Sequence, residues 1–237
     1  GFIGQHIQSF LKDKHNLICL DKKTGNDLLN CDLDYDVDLV IHLAGLSGVR
    51  DSLDNPVDYW TNNVVATYRI FKQFKNGPKI LYASSSTAYE PWRNPYAMSK
   101  HYMETIAPHN ALAMRFTTVY GPGAREKMLI PKILKNDVDY INVDHSRDFI
   151  HIDDILTAVG TLIINPIPRK PKFVDVGTGV SNNLLDILSH LNMEVKDKRM
   201  GTIFERKDNV AHIGTLTKMG WIPKTNLLDY LKENYDN

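Results

Sequence analysis

Leu81-Tyr82-Ala83-Ser84-Ser85-Ser86-Thr87-Ala88-Tyr89-Glu90-Pro91-Trp92-Arg93-Asn94-Pro95-Tyr96-Ala97-Met98-Ser99-Lys100 is the stretch whose reading decides the fold. An apolar run, Lys79-Ile80-Leu81-Tyr82, has the makings of a buried strand that stops at small hydroxyl residues. Asn94-Pro95 closes the loop that follows, and Pro at a first helical position predicts a helix that opens at Tyr96 and continues through His101-Tyr102-Met103-Glu104. Tyr96 and Lys100, four residues apart, then share one helical face, so the ammonium stabilises a phenolate. A free phenol titrates near ~10, and bringing it to about 7 requires roughly 4 kcal/mol of preferential stabilisation of the anion. Ser85, at the strand's end, is placed to hydrogen-bond the same substrate oxygen whose proton Tyr96 moves.

Upstream, Asp38-Leu39-Val40-Ile41-His42-Leu43-Ala44-Gly45 is a second strand that ends in small residues, as a central parallel strand does where a ligand backbone passes close by. His42 is expected to be a satisfied core histidine. Val57 to Phe74 reads as one long helix containing Asn62-Asn63-Val64, and an asparagine inside a helix calls for a partner. At the start, Gly1-Phe2-Ile3-Gly4 runs into the amphipathic Gln5-His6-Ile7-Gln8-Ser9-Phe10-Leu11, the second half of a glycine-rich phosphate loop opening a helix. Asn16-Leu17-Ile18-Cys19-Leu20 is expected to be a buried strand. It ends at Asp21, where a dinucleotide fold places the carboxylate that binds the adenosine ribose and repels a 2′-phosphate.

Downstream, Ala111-Leu112-Ala113-Met114-Arg115-Phe116 is another strand, followed by Thr117-Thr118-Val119-Tyr120-Gly121-Pro122-Gly123. Arg147-Asp148-Phe149-Ile150-His151-Ile152-Asp153-Asp154, Val174-Asp175-Val176-Gly177-Thr178-Gly179 and Gly220-Trp221-Ile222-Pro223 complete a series of spaced motifs. In their order, these motifs and the Ser85–Lys100 stretch resemble the extended short-chain dehydrogenase/reductase family, the nucleotide-sugar epimerases and dehydratases in particular, over nearly the whole chain. Among that family the UDP-sugar 4-epimerases are most similar.

The resemblance implies an α/β fold, a Rossmann-type doubly wound parallel sheet with a small C-terminal α/β substrate lobe. It implies an NAD-binding domain at 1–123 with 146–178 returning to it, and a substrate-binding lobe at 124–145 and 179–237. Family members carry a strand before the Gly1 loop, so the first strand is expected to be missing from the sequence as given. Catalytic residues carried over are Ser85, Tyr96 and Lys100. Gly1, Phe2, Ile3, Gly4, Asp21, Asp27, Leu28, Leu43, Ala44, Gly45 and Asn63 would join Tyr96 and Lys100 in holding NAD, with Asp32-Leu33 a rival to Asp27-Leu28. Asn63 is expected to bond backbone near Ser85. Ser47, Ser86, Thr118, Arg147 and Arg206 would face a UDP-sugar. Thr118 stands where the family usually has a diphosphate-contacting asparagine, and an ion pair with Asp148 is the structural alternative for Arg147.

The implied activity is inversion of a sugar stereocentre, most readily C4, through a keto sugar while Tyr96 takes the hydroxyl proton. A dehydratase or decarboxylase of the family carries acids after the catalytic hydroxyl, and Ser86 and Thr87 stand there instead. A nucleotide-sugar reductase or dehydrogenase keeps the same triad, and a non-catalytic NAD-binding protein usually has a broken one.

Composition is ordinary for a folded chain of this size: 237 residues, 43% hydrophobic and 24% charged. Lys+Arg and Asp+Glu are both 28, so no basic excess argues for nucleic acid or an anionic membrane surface. The two cysteines, Cys19 and Cys31, make no disulfide framework or metal-ligand spacing, which fits the cytoplasm; no metal is expected. No apolar run reaches bilayer length. Asp58 to Phe74 with His101 to Thr105 could pair with a second copy as a four-helix homodimer interface.

Overall fold

A computed structural model describes residues 1–235. Four strands form the principal sheet in the spatial order Leu39–His42, Lys79–Ser85, Ala111–Phe116, Phe173–Val176. The first two pair in parallel, Leu39 opposite Lys79 through His42 opposite Tyr82. Helices between consecutive strands carry the chain back to the sheet's starting end, the pattern that parallel pairing demands. The Ala111–Phe116 strand is buried at every residue, so it reads as a continuous apolar run rather than an alternating one.

The described residues group into two compact units: Ile3–Arg115 with Asn165–Val174, and Phe116–Ile164 with 175–235. Ser146–Ile164, expected on the cofactor side, thus groups by its contacts with the second unit. The first unit has a core of Ile70, Phe71, Phe74, Ile80, Tyr82, Met103, Ala111 and Ala113. Fully burying an aliphatic side chain of this kind contributes about 1.5–3 kcal/mol. The second unit is built of short strand pairs, Thr118–Tyr120 parallel to Phe149–His151 and Tyr140–Asn142 parallel to Asp197–Arg199, around a separate core that includes Tyr120, Ile133, Phe149, Leu188 and Leu231.

The strand expected at Asn16–Leu20 is not formed; residues 16–19 are exposed, Ile18 at 55%. The physical reason is pairing. Leu39–His42 is the last strand on its side of the sheet, and among the described residues nothing lies along its outer edge to hand ladder bonds on to Asn16–Leu20. A strand without a ladder leaves its amides to water, whatever its propensity. The long helix expected over Val57–Phe74 is present, with an unforeseen departure: Pro56–Tyr59 and Ala66–Phe74 are α-helical, but Trp60–Val65 winds as a π-helix. That wider turn brings the buried Asn63 to the core side.

Candidate active site

Ser85 ends the Lys79–Ser85 strand and is 7% exposed. The helix that carries the other two candidate groups runs from Pro95 to Thr105, as the sequence predicts. Asn94 fixes its start, accepting the Ala97 N–H at 2.8 Å, with Pro95 in the first position where no N–H is needed. Tyr96 therefore lies in the first turn and Lys100 one turn further on. The Lys100 ammonium lies 6.0 Å from the centre of the Tyr96 ring, and the Tyr59 ring meets Tyr96 edge-on at the same centroid distance.

Lys100 is 4% exposed and donates to the Ala83 carbonyl at 2.8 Å. Burial lowers its pKa to about 8, opposed by the negative charge of Glu104 one turn along the helix. Glu104 in turn accepts two hydrogen bonds from Arg115, at 2.8 and 2.5 Å, and one from Ser84 at 2.5 Å. The Arg115 guanidinium lies between the rings of Tyr89 and Phe173, 4.1 and 3.5 Å from their centres. His42 behaves as expected of a core histidine: its Nε2 is 2.8 Å from Thr67 Oγ1, and burial followed by the nearby Lys100 charge lowers its pKa to about 3.

The residues expected to hold a dinucleotide lie in the following surroundings. The Phe2–Leu11 helix starts at Gly1 with no acidic residue in its first turn and no side-chain cap hydrogen bond, so the positive end of its dipole suits an anion. The Gly1 nitrogen lies 3.6 Å from Asp21 Oδ2, so the two are neighbours. Asp21 is exposed, and the Lys23 amide bonded to it holds its pKa low. After the Leu39–His42 strand, Leu43 is half-buried and Ala44 and Gly45 are exposed. Gly45 has φ +151°, and a Cβ there would meet Asn63 Oδ1 at 2.7 Å and Lys100 Nζ at 3.6 Å, so only glycine leaves this cradle open. Asp27 accepts the Leu29 amide and pairs with Lys22 at 2.9 Å, while Leu28 packs partly against the core.

Asn63 is fully buried. It exchanges hydrogen bonds with the Leu46 backbone, at 2.7 and 3.0 Å, and donates to Ser99 Oγ at 2.9 Å. It therefore ties the loop after the Leu39–His42 strand to the helix of Tyr96. Its partners follow from the π-helical turn, which no propensity announces.

Among the residues expected to face substrate, Ser47 gives its carbonyl to the Tyr59 hydroxyl at 3.0 Å, and Ser86 is buried next to Ser85. Thr118, Arg147 and Arg206 belong to the second unit. Thr118 Oγ1 accepts the Asn209 amide at 3.1 Å. Arg147 donates to the Ser146 and Lys207 carbonyls at 2.7 and 3.1 Å, with Glu205 3.8 Å away. The alternative ion pair with Asp148 is not what Asp148 makes. Its carboxylate is fully buried and accepts the Thr178, Gly179 and Ala211 amides. Arg206 is half-buried. Sequence reading missed Thr87, whose amide and hydroxyl both reach Ser85 Oγ, at 3.2 and 3.0 Å; a Ser-x-Thr spacing at a strand end is the signal that could have found it. It also missed the Glu104–Arg115 pair, whose signal is an acid four residues after Lys100.

The chain is similar to known proteins. Among characterised relatives, UDP-glucose 4-epimerase from Yersinia enterocolitica is 26% identical, over 84% of this chain and 75% of that protein. UDP-glucuronate 4-epimerase from Thermodesulfobacterium geofontis is 29% identical, over 84% of this chain and 71% of that protein. Among solved structures, UDP-glucuronic acid 4-epimerase from Bacillus cereus, in complex with UDP-4-deoxy-4-fluoro-glucuronic acid and NAD, superposes with a TM-score of 0.84 at 25% identity, covering 100% of this chain and 95% of that one. UDP-N-acetylglucosamine 4-epimerase from Methanobrevibacter ruminantium gives 0.80 at 25% identity, covering 99% and 94%. The family description of NAD dependent epimerases and dehydratases matches residues 1–177, and by that match and the Rossmann-type sheet the chain belongs to the NAD dependent epimerase/dehydratase family.

Proposed function

We propose that this enzyme is an NAD-dependent epimerase that inverts one stereocentre of a nucleotide sugar, C4 of a UDP-sugar, through a keto intermediate. The observation that carries the reading is the arrangement of Ser85, Tyr96 and Lys100 on one strand end and one helix face, with hydroxyl residues Ser86 and Thr87 next to Ser85. Relatives whose names specify UDP-glucose and UDP-glucuronate 4-epimerases support it.

Bound NAD supplies a hydride acceptor and donor at the sugar carbon. The chain's own residues do the rest. Tyr96 takes the proton of the sugar hydroxyl and returns it, and the buried Lys100 ammonium favours the phenolate that does so. Ser85 bonds the same oxygen. Gly1 to Gly4, Asp21 and Leu43 to Gly45 hold the dinucleotide, Asn63 supports that loop through its bonds to Leu46, and Asp27 and Leu28 flank the adenine. In this reading 1–123 and 146–178 serve the cofactor, and 124–145 and 179–237 serve the sugar nucleotide. Ser47 and Ser86 contact it.

Incubation with UDP-, GDP- and dTDP-sugars in deuterated water, followed by NMR, tests the reading. An epimerase yields the C4 epimer with no deuterium at a neighbouring carbon and no free NADH. Deuterium in an adjacent methyl group would make the enzyme a dehydratase, and stoichiometric use of reduced cofactor a reductase. Cofactor choice is tested at Asp21: Asp21→Asn is expected to weaken NAD binding by about tenfold and to narrow its preference over NADP, read by fluorescence titration. Equal affinities in the native enzyme would remove Asp21 from this role.

The proposal extends to a homodimer. Val57, Trp60, Val65 and Tyr68 leave an exposed stripe on the Pro56–Phe74 helical run, and Trp60 stacks on Tyr102 at 4.9 Å. Two copies of this face would bury it in a symmetric four-helix contact. Tyr68→Asp is expected to convert the dimer to a monomer in sedimentation; a native monomer would end this part of the reading. Free Cys19 and Cys31 support a cytoplasmic location, and no helix among the described residues is long and apolar enough to cross a membrane.

A further inference from the structure

A serine hydroxyl has one proton to give and two lone pairs to receive. At Ser85 two polar groups of one residue come within hydrogen-bond distance of Oγ. The Thr87 amide donates to Ser85 Oγ at 3.2 Å and the Thr87 hydroxyl donates to it at 3.0 Å. The amide bond alone is a cap, since Ser85 precedes the short Ser86–Tyr89 helical turn. The hydroxyl bond is additional, and it uses up the capacity the cap leaves free.

We propose that Thr87 is a positioning residue that makes Ser85 a hydrogen-bond donor only. This rests on the reading above, in which Ser85 meets the sugar oxygen. When Ser85 turns its proton to the sugar oxygen, Thr87 becomes the donor in the 3.0 Å contact between the two hydroxyls; both Ser85 lone pairs are then taken, and it cannot accept the proton of the sugar hydroxyl or relay it. Tyr96 is then left as the sole group of the triad that removes that proton, and Ser85 stabilises the negative charge that grows on the oxygen as it leaves. The turn that holds Thr87 is fixed independently of its hydroxyl: the Glu90 amide bonds the Thr87 carbonyl at 3.0 Å, and Ala88 is buried. The hydroxyl can therefore be removed without releasing the turn.

Thr87→Val keeps the branched shape and the amide but removes the hydroxyl; Thr87→Ser restores a hydroxyl. On the best UDP-sugar of the panel, Thr87→Val is expected to lower kcat about three- to tenfold, the size of one neutral hydrogen bond. KM, NAD affinity and the urea midpoint are expected to stay at native values, and Thr87→Ser to recover most of the rate. In a Ser85→Ala background Thr87→Val should cost nothing further, because its effect runs through Ser85. A native rate in Thr87→Val, the same loss in both backgrounds, or a lowered urea midpoint accounting for the loss would each overturn the proposal. Full turnover by Ser85→Ala would instead overturn the catalytic assignment of Ser85 on which it rests.

Discussion

Tyr96→Phe is expected to lower kcat by roughly 10²–10⁴-fold while leaving NAD affinity within about twofold of native. The phenol acts on a substrate proton, so its loss removes the acid/base path and little else. The ring itself is held by its surroundings, edge-on to Tyr59 and beside the Lys100 ammonium, and phenylalanine fills the same space. Stopped-flow kinetics on the best UDP-sugar and fluorescence titration of NAD separate the two quantities. Native turnover would remove Tyr96 from the mechanism. A joint loss of turnover and NAD binding would mean that the phenol's main duty is to the cofactor.

The parts of this site that sequence reveals are those held by local rules. The helix from Pro95 is announced by Asn94 and Pro95, and that start alone puts Tyr96 and Lys100 on one face. The strand ending at Ser85 is announced by its apolar run. The misplacements are non-local. Asn16–Leu20 has strand composition, but a strand exists only where a neighbour accepts its ladder bonds, and none among the described residues does. Asn63 was recognisable as an asparagine in need of a partner, yet its bonds to Leu46 and Ser99 depend on the π-helical turn at Trp60–Val65. Thr118 illustrates a third kind of difficulty. Its substitution for asparagine was visible, but its bond to Asn209, far along the chain, was not.

Lys100→Met is expected to abolish turnover and yet make the cofactor-free protein more stable. In the folded state burial brings the Lys100 pKa to about 8, from 10.5 in an unfolded chain. That difference corresponds to about 3 kcal/mol of destabilisation at neutral pH, where the ammonium is buried in charged form. Methionine fills a similar space without the charge, but leaves the Ala83 carbonyl without its donor, a loss of about 1 kcal/mol. The net expectation is a gain of about 1–2 kcal/mol, seen as a higher urea midpoint at pH 7. The pH dependence has a definite sign. Below about 8 Lys100 is protonated in both states and the cost is present in full; between about 8 and 10.5 the unfolded chain binds the extra proton, so native stability rises with pH relative to Lys100→Met. Turnover should move the other way, falling as the pH rises through about 8, because the neutral amine no longer favours the phenolate. A lower urea midpoint in Lys100→Met, or parallel pH profiles for the two proteins, would show that the buried ammonium is stabilised by its surroundings and not strained by them. The opposed trends would instead place the catalytic charge where folding alone would not keep it, the mark of a group retained for its chemistry.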